Sequence, residues 1–126
     1  MSAKSYSIRS GSQESRENTV KAIANRKPFQ TSGALFGVRN VSPGVGRLSP
    51  AERERFYETV NDTVYWVVSW KTPIAWYVIP DPGEAPYWVF VSRHFTKSTS
   101  VHQGVVRRGL TCKNSEHKTY AVEVVK

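Results

Sequence analysis

The chain has 126 residues, of which 39% are hydrophobic and 22% charged, and this predicts one folded domain rather than a disordered chain. No apolar run reaches the roughly 18 residues that a membrane-spanning helix needs, and residues 1–12 lack the apolar centre of a secretory signal. The single cysteine, Cys112, excludes an internal disulfide and fits a reducing compartment such as the cytoplasm.

Positive charge is concentrated towards the two ends of the sequence. Residues 1–48 carry a net charge of +6, residues 49–91 carry −3 and residues 92–126 carry +5, which together give the formal net charge of +8. Two basic flanks around a near-neutral to acidic centre indicate a polyanionic partner, most simply nucleic acid. Solubility is the other explanation, because net charge by itself keeps small proteins in solution.

The first quarter of the chain predicts a tail followed by a helix. Residues 1–13 are polar and basic, and we expect a flexible basic tail ahead of a single α+β domain over residues 14–126. A helix is expected from Ser15 to Arg26, where one narrow apolar stripe repeats at helical spacing. Pro28 disfavours helical backbone at the preceding residue and so ends this helix.

A loop and a well-signalled second helix follow. Residues 30–48 are rich in Gly and Pro and predict a connector, with a short extended piece at 34–38. The sequence Ser-Pro-Ala-Glu at 49–52 is a capping box with Pro at the first helical position. It predicts a helix from Pro50 to Thr59.

The centre of the chain predicts an aromatic β-meander. Three strands are expected at 62–70, 74–79 and 87–92, because these segments are runs of aromatic and apolar residues, with large side chains on both faces of each strand. The residues Lys-Thr-Pro at 71–73 and Asp-Pro-Gly at 81–83 predict the turns that join them. Short connections of this kind favour antiparallel pairing.

The last part of the chain predicts one more helix and one more strand. The helix is expected from Thr99 to Arg108, capped by Ser98 or Thr99 and stopped by Gly109. Residues 119–125 alternate and predict a strand that pairs with the meander. Together the elements predict an α+β fold, with a three- to four-stranded antiparallel sheet and two or three helices packed mainly on one face. Core burial is the default expectation for most of the aromatic side chains; if the helices leave one face of the sheet open, aromatic side chains would be exposed there.

Three segments carry a resemblance to a known family. Residues 67–76 read V-V-S-W-K-T-P-I-A-W, residues 98–108 read S-T-S-V-H-Q-G-V-V-R-R, and residues 25–29 read N-R-K-P-F. These segments resemble motifs of small uncharacterised proteins encoded by actinobacterial phages, and the chain departs from them at 92–96. The resemblance implies a phage origin and action in the host cytoplasm, and it implies no mechanism.

The sequence offers no catalytic or metal motif. His94, His102 and His117 are irregularly spaced, and Cys112 is the only thiol, so a zinc site is not expected. No nucleophile-elbow or cysteine-enzyme signature occurs. We therefore expect a protein that is not an enzyme and needs no cofactor. A small enzyme whose site forms only in three dimensions stays open as a third reading.

The expected function is binding. Gln and Arg pair with base edges, Lys and Arg attract phosphate, and exposed aromatic rings stack on bases. The leading hypothesis is a phage accessory protein that binds nucleic acid or a nucleic-acid-associated host complex. The alternative is a modulator that binds a host protein through exposed aromatic residues, and a homodimer is also left open. The candidate binding residues are Lys71, Trp76, Arg93, Lys97, His102, Gln103, Arg107 and Arg108.

Overall fold

The computed structural model describes residues 6–8, 13–31 and 34–125, which form three α-helices and one mixed sheet of seven strands. The helices are α1 (Gln13–Ala24), α2 (Pro50–Thr59) and α3 (Lys97–Thr111). The strands are β1 (Tyr6–Ile8), β2 (Phe29–Thr31), β3 (Leu35–Arg39), β4 (Thr63–Ser69), β5 (Thr72–Val78), β6 (Tyr87–Val91) and β7 (Ala121–Val125).

The strands lie in the sheet in the same order as in the sequence. Neighbours from β2 to β6 are antiparallel, whereas β1 pairs with β2 and β6 pairs with β7 in parallel. A parallel pair of neighbours needs a crossover connection, and α1 and α3 supply the two crossovers. Four antiparallel pairings separate β2 from β6, so these two strands run in the same direction, and β1 is parallel to β2. The two crossovers, β1–α1–β2 and β6–α3–β7, therefore start from strands of the same direction. Right-handed crossovers then place α1 and α3 on the same face.

Each face of the sheet has its own hydrophobic core. On the first face Ile23 of α1 and Val106 of α3 pack against a layer that includes Tyr65 and Trp88. On the second face Phe56 of α2 packs edge-on against Trp76, with ring centroids 5.5 Å apart. Alternation along the strands explains the division, because successive side chains point to opposite faces.

The α+β class and the three helices agree with the sequence-based expectation, and the sheet differs from it. It is a mixed sheet of seven strands, not an antiparallel sheet of three or four. Two helices lie on one face and α2 covers the other. Trp66, Trp76 and Trp88 are all buried, which agrees with the default expectation for most of the aromatic residues. Short strands such as β2 have too few residues for a periodic signal, which is why the sequence predicted a smaller sheet.

The predicted helices are all present, but the boundaries of two of them differ from the predicted ones. α2 begins and ends at the expected residues, α1 begins two residues before Ser15, and α3 extends beyond its expected helix at both ends. Of the expected tail, Tyr6–Ile8 forms β1, while 1–5 and 9–12 lie outside the described residues. None of the helices formed by the described residues has the length and apolarity to cross a membrane.

Candidate functional site

The turn between β4 and β5 has an unusual residue pair at its tip. Ser69 pairs with Thr72, so Trp70 and Lys71 form a two-residue loop. Both are left-handed, with φ of 49° for Trp70 and 66° for Lys71. Such turns favour Asn and Gly, since a side chain in this conformation costs on the order of 1–2 kcal/mol per residue. Trp70 is also 59% exposed. The tip therefore holds a large aromatic ring and a cation in water, in a strained backbone.

The connector before α2 packs against this tip and places a second cation there. Gly46 has a φ of 51°, and a Cβ at this position would collide with the Thr72 hydroxyl and the Lys71 carbonyl. The backbone N–H of Arg47 donates to Thr72 Oγ1 at 2.9 Å, and the Arg93 guanidinium donates to the Arg47 carbonyl at 3.0 Å. Glycine thus allows the close approach, and two hydrogen bonds fix Arg47 beside the tip.

The first turn of α3 forms the opposite side. Thr96 is its N-cap, and its hydroxyl accepts from the backbone N–H of Thr99 at 3.2 Å. Ser69, the last residue of β4, links the strand to the helix through Thr99 Oγ1 at 3.2 Å and His102 Nδ1 at 2.6 Å. Burial lowers the pKa of His102, so this imidazole is held towards its neutral form.

These elements enclose a pocket of about 420 Å³, which we call the hairpin-tip pocket. Its lining contains two cations, Arg47 and Lys71, and two aromatic rings, Trp70 and Phe95. The remaining lining residues all carry hydroxyl groups and are Ser69, Thr72, Thr96, Ser98 and Thr99. The part of the lining that the structure describes includes no carboxylate, so the pocket is suited to an anionic ligand with an apolar or aromatic part.

Arg93 stands next to the pocket but is occupied by a buried acid. Its Nε donates to Glu52 Oε2 at 2.9 Å, and the Glu52 side chain has no exposed area. Burial raises the pKa of Glu52, but the hydrogen bonds from Arg93 and from the backbone of Ser49 outweigh it, and the pKa lies below its ordinary value. Arg93 thus neutralises a buried carboxylate and also positions Arg47.

The structure brings together part of the set of residues predicted from the sequence. Lys71 lines the hairpin-tip pocket, Lys97 opens α3 between the lining residues Thr96 and Ser98, and His102 holds the Ser69 hydroxyl. Arg93 joins them through the Arg47 backbone. The predicted aromatic residue, Trp76, is buried, and the exposed aromatic side chain beside Lys71 is Trp70.

The other predicted residues lie elsewhere. Trp76 is fully buried, and its indole N–H donates to Thr59 Oγ1 at 2.9 Å. Gln103 is buried and donates to the backbone carbonyls of Val91 and Arg93, so its amide nitrogen joins α3 to the end of β6. Arg107 and Arg108 are exposed further along α3, with the Arg107 guanidinium 5.3 Å from the Phe90 ring centroid. At 1.5 Å per residue they lie roughly 15 Å from the start of the helix.

Sequence reasoning missed Trp70 and Arg47. Trp70 was counted as the end of a strand because it continues the β4 alternation, and the Pro73 signal drew the turn one residue too late. Pro73 instead lies within β5, opposite Val68 at a register shift. The connector of Arg47 carried no periodic signal. Its glycine at position 46 was the one available clue that the backbone makes a close approach.

The described residues contain no cluster of three or more His, Cys, Asp or Glu side chains arranged to hold a metal ion. Comparison with models of protein families, with curated proteins and with solved structures gives no match.

Proposed function

We propose that this protein binds single-stranded nucleic acid at the hairpin-tip pocket, without catalysing a reaction. A base stacks on Trp70, and phosphate groups contact Arg47 and Lys71. The observation that carries the proposal is the strained tip, where Trp70 and Lys71 occupy two positions better suited to Asn and Gly. Strain of this kind is found at functional sites, where the surrounding structure maintains it.

The chemistry of the pocket supports this choice of ligand. Stacking of a base on an aromatic ring contributes about 1–3 kcal/mol and tolerates any base. Cations beside the ring neutralise phosphate and release counterions. The net charge of +8 draws a polyanion towards the protein over a longer distance. The ligand is thus a flexible single strand, since its bases are free to stack on a protruding ring.

The cellular setting is part of the same proposal. The resemblance to proteins of actinobacterial phages supports a phage accessory protein that acts in the cytoplasm of the infected host. Cys112 is an exposed free thiol in the structure, which fits a reducing compartment. Bound nucleic acid would also bring the protein to host complexes that carry DNA or RNA.

The test is binding of fluorescent single-stranded DNA and RNA, measured by anisotropy, for the native protein and for Trp70→Asn. Asn keeps the left-handed backbone, so the variant removes the ring and preserves the turn. We expect the affinity to fall by about 1–3 kcal/mol, and binding to weaken steeply between about 50 and 200 mM salt. Tyr57→Ala is the matched control, because Tyr57 is a similarly exposed ring (62%) on α2.

The outcomes separate the proposal from its alternative. If the native protein and Trp70→Asn bind the single strand with equal affinity, Trp70 is not part of the binding site. If neither single-stranded DNA nor single-stranded RNA binds at low salt, the proposed binding of single strands is wrong. A partner that is captured from host lysate after nuclease treatment, and lost in Trp70→Asn, would then support the modulator that binds a host protein through an exposed aromatic residue.

A further inference from the structure

We propose that the hairpin-tip pocket takes the terminal phosphate monoester of a nucleic acid chain in preference to an internal phosphodiester. This inference rests on the proposed function and names the part of the ligand that enters the pocket. The observation behind it is that two cations, an exposed aromatic ring and hydroxyl groups meet in one pocket, with no carboxylate among the described lining residues.

The ligand-accessible lining of the pocket is its outer part. Trp70 is 59% exposed and Arg47 and Lys71 are exposed beside it, whereas Ser69 is only 1% exposed and lies behind the pocket surface. A phosphate inside a chain is tied on both sides, so both flanking nucleotides must be accommodated beside the two cations. A terminal phosphate is tied by one ester bond only, so it can contact Arg47 and Lys71 while the adjoining base remains beside Trp70. The volume of about 420 Å³ suits one such nucleotide end.

The number of donors also favours a monoester. Among the described residues, two cations and five hydroxyl-bearing residues line the pocket, and the hydroxyls of Ser69, Thr96 and Thr99 are hydrogen-bonded among themselves. Thr72 Oγ1 already accepts from Arg47 N–H, which leaves its own proton free for donation to a ligand. A terminal phosphate carries about −1.5 to −2 charges and three strong acceptor oxygens. An internal diester has one charge and two such oxygens, so it would use fewer of these groups.

The Ser69 hydroxyl fixes the position of the pocket wall. His102 Nδ1 lies 2.6 Å from Ser69 Oγ, and Thr99 Oγ1 lies 3.2 Å away. Ser69 is only 1% exposed, so these two hydrogen bonds hold α3 against the end of β4. Contact with phosphate is left mainly to Arg47, Lys71 and the exposed hydroxyl of Ser98.

The experiment compares three fluorescent oligothymidylates of the same length, with a 5′-phosphate, a 3′-phosphate or no terminal phosphate, by anisotropy at one salt concentration. We expect one phosphorylated form to bind about tenfold more tightly than the unmodified strand, as one or two added charged hydrogen bonds predict. A preference for either end supports the proposal and identifies the end.

Two variants show whether the preference arises in the pocket. Lys71→Asn removes a lining cation and keeps a residue that tolerates the left-handed turn, so it should abolish most of the preference. Arg108→Gln removes one exposed charge at the far end of α3. It should weaken all three strands alike and leave the ratio unchanged.

Failure here is distinct from failure of the proposed function. If the three strands bind equally tightly and Trp70→Asn weakens all of them, the terminal-phosphate preference is wrong and strand binding stands. If no strand binds, both proposals are wrong. A preference that survives in Lys71→Asn and disappears in Arg108→Gln would place phosphate recognition away from this pocket and would overturn the inference.

Discussion

Glu52 is a carboxylate without exposed area, and its two oxygens are satisfied by groups from two separate parts of the chain. Oε1 accepts from the backbone N–H of Ser49 at 2.7 Å, which completes the capping box of α2. Oε1 and Oε2 both accept from the guanidinium of Arg93, 41 residues away. One residue therefore starts a helix and attaches it to the end of β6. The capping box was readable from the sequence, but the partner Arg93 was not, because only the fold brings it there.

We expect Arg93→Ala to lower the free energy of unfolding by roughly 2 kcal/mol at neutral pH, since it leaves a buried carboxylate unpaired. The effect is below that of a fully buried pair because the Arg93 side chain is 40% exposed. The native pKa of Glu52 lies below its unfolded value, so the stability it contributes is present above the unfolded pKa and lost as the pH falls. Urea unfolding should therefore show a smaller difference at acidic pH. Arg53→Ala, at an exposed position on α2, is the control; an undiminished difference in acid would contradict this account.

His102 carries a second pH-dependent effect at the residue scale. Burial lowers its pKa in the folded state, so the unfolded chain binds more protons between the two pKa values. Native stability should therefore fall as the pH drops below the unfolded value of about 6.5.

Unfolding of His102→Asn, measured across this pH range, should lack the part of the pH dependence that His102 contributes. The Asn amide can keep the contact with Ser69, so the fold is preserved. The exposed His94, replaced in the same way, provides the comparison. Identical pH profiles for the native protein and His102→Asn would show that His102 is not the source.

At the scale of elements, α3 shows which features of a helix can be predicted from local sequence signals and which cannot. A helix was expected in this region, but the cap is Thr96 and not Ser98 or Thr99, and the helix continues through Gly109 to Thr111. Gly109 reads as a stop signal in the sequence because glycine commonly follows helix ends. In the fold it lies inside the helix, against Ile23 of α1. The sequence could not distinguish a stop from a close packing position, since that depends on the neighbouring helix.

The two glycines of α3 should respond in opposite ways to alanine. Gly104→Ala adds a methyl group where nothing lies within 4 Å, and it should stabilise the protein by about 0.5–1 kcal/mol. Gly109→Ala would place a Cβ 2.7 Å from Ile23 Cγ2, and it should destabilise by about 1–3 kcal/mol. Thermal or urea unfolding of the two variants makes the comparison. Equal shifts in the same direction would mean that α1 and α3 do not pack as described.

At the scale of the whole molecule, the two crossovers and α2 close the sheet from both faces. α1 and α3 cover one face, and Arg55 of α2 reaches β7 from the other, donating to Glu123 at 2.6 and 2.7 Å. The alternation of β4, β5 and β6 predicted these central strands. The parallel edge strands could not be predicted in this way, because their pairing depends on where α1 and α3 return the chain. The same limit applies to the pocket: its residues come from the connector, the hairpin and α3, and only the folded chain brings them together.

At the tip of the β4–β5 hairpin, thermostability and ligand binding place opposite demands on the same two residues. Replacing Trp70 by Asn and Lys71 by Gly supplies the pair that the turn prefers, and should raise the free energy of unfolding by about 1–3 kcal/mol. The same double variant should lose its affinity for single strands. Calorimetry and anisotropy on one preparation would show both changes, and a double variant no more stable than the native chain would contradict the strain described for the tip. Selection for heat resistance alone would then favour more stable variants that no longer bind the ligand.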